Sequence, residues 1–195
     1  MTLETVSLEH VPSDFSIYVA LFRDVQNAAF LHRQLLARNA DYEYAFIDAS
    51  ILLSRNHLFA VVFKAILARW KNALETPNIH SEIVVNLSPS NNIADAYRLF
   101  GLSPSTTHLA VVKVTFPTGT NPMPPSSHVI WHHLSANVHG QAVSLTDDNI
   151  KAVTALAKVR KNYKINSLGW LPEDEAACRH QLEALVVSSM ALRSL

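Results

Sequence analysis

Four histidines crowd one short stretch, His128, His132, His133 and His139, and imidazole is a common protein ligand for metals such as zinc. Residues 129–134 read as an edge strand, which would put His128 and His132 on one face and His133 on the other. A metal there would need a carboxylate, or His139 folded back, to complete its shell. No acidic residue stands beside them to orient an imidazole. The stretch therefore reads as solvated or edge-strand histidines, with a metal-dependent hydrolase built on His128, His132 and His133 as the alternative. Serines are scattered, with no sharp turn to expose a nucleophile, and Cys178 is the only cysteine. No catalytic residue, metal or cofactor is assigned.

Cations give a second pattern. His57, Lys64 and Lys71 stand seven residues apart and so form a row along one side of a helix, flanked by Ala60, Leu67 and Ala68. Such a row beside small residues lets a phosphate approach; a solvated helix face is the plainer reading. Lys151, Lys158, Arg160, Lys161 and Lys164 make a further basic run with the same two readings. Glycine supplies the strongest exclusion. The four glycines, Gly101, Gly119, Gly140 and Gly169, stand alone, so no phosphate-cradling loop, dinucleotide turn or nucleophile elbow can be assembled from them.

These groups must be positioned by ordinary globular structure. The chain has 195 residues and is 49% hydrophobic, enough for one domain over 1–195 burying roughly 70% of its unfolded surface. Sixteen basic residues balance sixteen acidic ones, so no global field draws the protein to nucleic acid or to a membrane. A lone cysteine fits a reducing compartment. The N-terminal stretch does not read as a signal peptide, and the apolar run at 57–70 is interrupted by Lys64 and falls short of a membrane span.

Strands are expected over 5–8, 15–22, 42–47, 82–87 and 108–116, besides the one at 129–134. Helices are expected after Asp24, at 57–71 behind an Asn56 cap, at 92–100 ending on Gly101, at 149–163 behind Thr146, and from Leu171-Pro172 toward the C-terminus. Within them Leu58, Val61, Val62, Ala65 and Trp70 should face the core, as should Ile93, Ala96, Tyr97 and Phe100. Residues 117–127 hold four of the nine prolines and read as a mobile surface loop. The fold class expected is α/β (α+β): a mixed or antiparallel sheet of five to six strands covered by helices, with a C-terminal helix pair.

The segment around Asn86-Leu87-Ser88-Pro89, Asn91-Asn92-Ile93, Ala96 and Phe100-Gly101-Leu102 resembles a motif of the KEOPS/EKC accessory subunits of the CGI type, the PRPK-binding protein family. Leu21-Phe22-Arg23-Asp24-Val25-Gln26-Asn27-Ala28, Lys64-Ala65 and Gly140-Gln141-Ala142-Val143-Ser144-Leu145 resemble further family segments in the same order. The likeness covers residues 17–190 and weakens after Trp170.

The resemblance implies a non-enzymatic adaptor. It would bind and stimulate the atypical kinase/ATPase subunit, meet the other subunits through it, and help recruit the CCA end of tRNA for threonylcarbamoyl-adenosine modification. Nucleus and cytoplasm, with a link to telomere maintenance, follow from the same likeness, and no membrane partner is implied. A CCA site needs cations for phosphates and room for unstacked bases. Lys64, His57, Lys71, Asn91, Asn92 and Arg98 are the candidates. A kinase-binding face needs an apolar centre with a polar rim, and Leu182, Leu185, Val186 and Met190 on the last helix are the candidates, unless they are simply core. A protein-binding scaffold without RNA contact is the other alternative.

Overall fold

The computed structural model describes residues 2–119, 122–166 and 175–193. Among these, five strands form one antiparallel sheet: β1 (Glu4–Val6), β2 (Ser16–Arg23), β3 (Ala45–Asp48), β4 (Leu109–Thr115) and β5 (Gln141–Val143). Their order is β1-β2-β4-β3. One edge of β2 is shared, with β1 along Ile17–Val19 and β5 along Leu21–Arg23. Ile17 faces Val114 and Phe22 faces Leu109 across the central β2–β4 pair.

Both faces of the sheet are covered, which explains strands that are apolar almost throughout. Ile17, Val19, Leu21, Ala45, Ile47, Ala110, Val112 and Val114 belong to one core layer. The alternate residues Ala20, Phe22, Tyr44, Phe46, Leu109 and Val111 belong to the other. The first layer is closed by α2 (Arg55–Trp70), α3 (Ile79–Asn86), α7 (Leu156–Asn162) and α8 (Glu175–Leu192). The second is closed by α1 (Ala28–Leu36) and α5 (Ser127–Asn137). Between them in the chain lie α4 (Ile93–Phe100) and α6 (Asp147–Val153). No helix among the described residues is long and apolar enough to cross a membrane.

Two expected strands are helices. Residues 82–86 lie in α3, with Leu87 as its C-cap, and Ile79, His80 and every residue of Glu82–Asn86 are buried. A helix buried nearly all round carries no polar stripe, and its β-branched run imitates a buried strand. Asn78 starts it, its side chain accepting from the Ser81 amide at 2.8 Å. Residues 129–134 lie in α5, so His128 and His132 share a helical face, while His133 turns in against Tyr42 and Tyr44.

Other boundaries move for local reasons. Ser54, not Asn56, caps α2, accepting from the His57 amide at 3.0 Å. Asn27 stands at the cap of α1, and Asp24 takes φ 53° upstream of it. The helix expected over 149–163 breaks into α6 and α7, because the Ala155 amide donates to Ser50 O and the Thr154 hydroxyl to Leu52 O. Gly101 does end α4; a Cβ there would sit 2.8 Å from Tyr97 O. Trp70, Ile93 and Tyr97, expected inside, are 61%, 40% and 38% exposed. Leu171, Pro172, Thr120 and Asn121 lie outside the described residues, and with them the expected start of the last helix and part of the 117–127 loop.

Candidate binding surfaces

Helix α2 does not present its cationic row evenly. His57 is fully buried, contrary to the expected exposed position beside Lys64. Its Nδ1 faces the Leu53 amide at 3.3 Å and its Nε2 faces the Tyr163 hydroxyl at 3.1 Å. Since an amide only donates, Nδ1 must accept and Nε2 must carry the proton. The imidazole is thus held neutral, and burial drives its pKa down to about 3. It cannot meet a phosphate.

Lys64 is half-buried, and its ammonium donates to the carbonyl of Met190 at 3.0 Å, capping the end of α8. Burial, then the nearby Arg193, lowers its pKa, while Glu75 and Glu82 act in the opposite direction. A small cleft of about 160 Å³ lies beside it, walled by Ala60, Val61, Val187, Met190 and Ala191. Lys71, just past the helix end, is exposed.

The Asn-Asn-Ile turn is a structural joint. Asn92 caps α4 by accepting from the Asp95 amide at 3.1 Å. Asn91 Oδ1 accepts from Arg193 Nε at 3.1 Å. Arg193 is nearly buried and also donates to Val85 O at 2.5 Å and to Glu75 at 2.8 Å. Arg193, just past the end of α8, therefore ties α3, the 75–76 turn and the start of α4 together. Arg98 stands exposed, paired with Asp95 at 2.9 Å.

The expected kinase-binding face is mostly core. Leu182, Val186 and Met190 are buried in the first layer, and only Leu185 is half-exposed. Their spacing of four residues makes a stripe, and that stripe faces the chain's own sheet layer. The outward side of α8 carries Ala177, His180, Ala184, Ser188, Ala191 and Leu192. Leu192 is 61% exposed.

Among the described residues no three His, Cys, Asp or Glu side chains converge as metal donors, and His128 and His132 are exposed. In the basic run, Lys158 pairs with Asp48 and Arg160 donates to Cys178 Sγ, leaving Lys161 and Lys164 on the exposed rim. Sequence reasoning missed Arg193 and Tyr163. Tyr163 donates to Leu87 O at 2.6 Å while accepting from His57, and no periodicity points to such a hub. Arg193 had one signal, a lone cation at the end of an apolar stripe.

Fold and surface together define a helix-clad antiparallel sheet whose polar groups mostly lock elements together and whose free side chains cluster on helix faces. The chain belongs to the CGI-121 family: the family model described as "Kinase binding protein CGI-121" matches residues 22–194. It is 56% identical over 197 residues to the "EKC/KEOPS complex subunit CGI121" of Gibberella zeae, covering 100% of both chains. The Neurospora crassa protein of that name is 46% identical over 207 residues, again at 100% of both. The Schizosaccharomyces pombe protein is 28% identical over 177 residues, 91% of this chain and 92% of the relative.

Proposed function

We propose that this protein is a non-catalytic subunit of an EKC/KEOPS complex. It binds and stimulates the atypical kinase/ATPase subunit, reaches the other subunits through it, and helps hold the 3′ CCA end of tRNA for threonylcarbamoyl-adenosine modification. The observation that carries this reading is the match to a kinase-binding family along residues 22–194, together with relatives of that name aligned end to end. On the same reading the protein works in nucleus and cytoplasm, including at telomeres.

Burial of Leu182, Val186 and Met190 moves the proposed kinase contact to the outward side of α8. Small residues there let a partner helix approach closely, and Leu192 offers an apolar anchor. For RNA, Lys71, Arg98 and Asn92 keep accessible positions, and Lys64 joins them if the α8 end yields its amine.

Reconstitution with the kinase subunit tests this directly. Wild type should co-purify with the kinase and raise its ATPase activity without binding ATP alone. Ala184→Arg and Leu192→Glu should remove co-purification while circular dichroism stays native. In a filter-binding assay, Lys71→Glu and Arg98→Glu should weaken intact tRNA and leave tRNA trimmed of CCA unaffected, with a shallow salt slope because few phosphates are met. Saturable ATP binding by the free chain would refute the adaptor reading. Equal tRNA binding by wild type and both variants would leave a kinase scaffold alone.

A further inference from the structure

A cavity of about 810 Å³ opens beside the end of β4. β3 pairs with β4 only as far as Ala45 and Val112, so Lys113 and Thr115 continue past it and form part of the cavity wall. Two residues apart in a strand, they point to the same face with Cα atoms about 7 Å apart.

Both carry unspent donors. Thr115 is 5% exposed, and its buried Oγ1 has no hydrogen-bond partner. A buried hydroxyl left unpaired costs free energy that a ligand can recover. The Lys113 ammonium lies 4.9 Å from the Tyr44 ring centroid and donates to the Glu43 carbonyl. Among the described residues it meets no carboxylate. The Glu43 carboxylate is taken by His80 Nδ1 at 3.3 Å. His80 Nε2 accepts from the Val114 amide at 3.1 Å, which fixes the proton on Nδ1 and the carboxylate against it. Burial lowers the Lys113 pKa, with the nearby Glu43 carboxylate acting in the opposite direction. Arg69 also lines the cavity, with its guanidinium over the Phe116 ring at 5.0 Å. Asp41, the other acid on the wall, is exposed.

The remaining wall is mixed, with Asn78, His80 and His133 beside the apolar Ile79, Pro125, Val129 and Ile130. Tyr44 is stacked by His133 at 5.7 Å and an interplanar angle of 10°, and Ile79 and Phe116 stand nearby. We propose that this cavity binds a small organic anion, its head seated between the Lys113 ammonium and the Thr115 hydroxyl and its apolar body laid against the exposed Val129 and the neighbouring Pro125. The volume falls in the range of small-molecule sites, roughly 300–1,000 Å³. Fixed Glu43 confines the anionic head to the Lys113–Thr115 side. The head is a carboxylate or a phosphate monoester, which offer the same acceptors to the same donors. This site is separate from α8 and from the Asn-Asn-Ile turn, and does not depend on a kinase or RNA role.

Titration of the isotope-labelled full chain, followed by amide resonances, provides the test, with cinnamate, phenyl phosphate and the uncharged cinnamyl alcohol as probes. Cinnamate or phenyl phosphate should shift Tyr44, Lys113 and Thr115, with the alcohol bound at least about tenfold more weakly, the scale of one charge-assisted hydrogen bond. Whichever acid binds more tightly identifies the head group. Lys113→Met should erase the acid's advantage and leave the alcohol unchanged; Thr115→Val should weaken the acid about three- to tenfold. Equal binding of acid and alcohol to wild type, shifts confined to other residues, or no shift from any probe would each overturn the proposal. The wild-type comparison needs no variant to fold.

Discussion

The Tyr163 hydroxyl accepts from His57, donates to Leu87 O, and lies 3.6 Å from Met190 Sδ, so one oxygen joins α2, α3 and α8. Tyr163→Phe keeps the ring against Phe100, 5.3 Å away, but strands the His57 N–H and the Leu87 carbonyl. The expected loss is about 1–3 kcal/mol in urea unfolding, and a loss below about 0.5 kcal/mol would mean water replaces the hydroxyl. The same imidazole sets a pH dependence. His57 stays neutral down to about 3, and His80 is also depressed by burial, whereas in the unfolded chain both charge near 6.5. Above that pH neither state binds the proton and stability is complete. Below it the unfolded chain binds protons the native state refuses, so each imidazole removes up to about 1.4 kcal/mol per pH unit. Glu4 and Glu43, held below their usual range by Arg55 and His80 respectively, add their losses only under pH 4.5. Unfolding measured at pH 7, 6 and 5 should show a falling stability; a flat profile would contradict the buried neutral assignment. None of this was legible in the sequence, where His57 counted as a cation, because spacing places a residue on a helix face without saying what covers that face.

At the scale of elements, legibility followed amphipathicity. β2, β4, α2 and α4 were readable because turn residues or an apolar stripe bounded them, and Gly101 marked a real end. α3 was not, since burial on every side removes the polar stripe that separates a period of 3.6 from one of 2. α5 was misread because prolines before it and histidines within it hide a stripe that only Ile130 and Leu134 complete. The α8 stripe was found, and Leu182, Val186 and Met190 on it are buried in the chain's own core: an apolar stripe seeks a core before it seeks another protein. Val186→Glu should therefore lower solubility and melting temperature, since an unpaired charge buried in a packed layer costs several kcal/mol. Leu192→Glu, on the exposed side of the same helix, should change the melting temperature little. Circular dichroism melts of the pair decide it; two native melts would place Val186 on the surface.

At the scale of the whole molecule, the two proposed surfaces meet at the C-terminal end of α8. Its outward side is the kinase candidate, while its last turn holds Lys64 through Met190 O and Arg193, just past its end, holds Asn91. Both residues were nominated for tRNA, so the order of this turn governs how the RNA candidates are presented. Arg193 is the pin: besides Asn91 it grips Val85 O and Glu75, and its guanidinium is almost completely enclosed. Removing a buried charge with several partners costs on the order of 3 kcal/mol, less here because Glu75 reaches solvent and can hydrate. Arg193→Gln should accordingly lower the melting temperature by several degrees and speed amide exchange in the last two turns of α8, with the sheet still protected. Freed from that turn, Lys64 gains mobility and loses a like-charged neighbour, so its amine pKa should rise toward the ordinary lysine value. If the kinase clamps α8, adding it should restore slow exchange in the variant; if exchange stays fast with the kinase bound, α8 lies outside that interface and the kinase face must be sought on another helix.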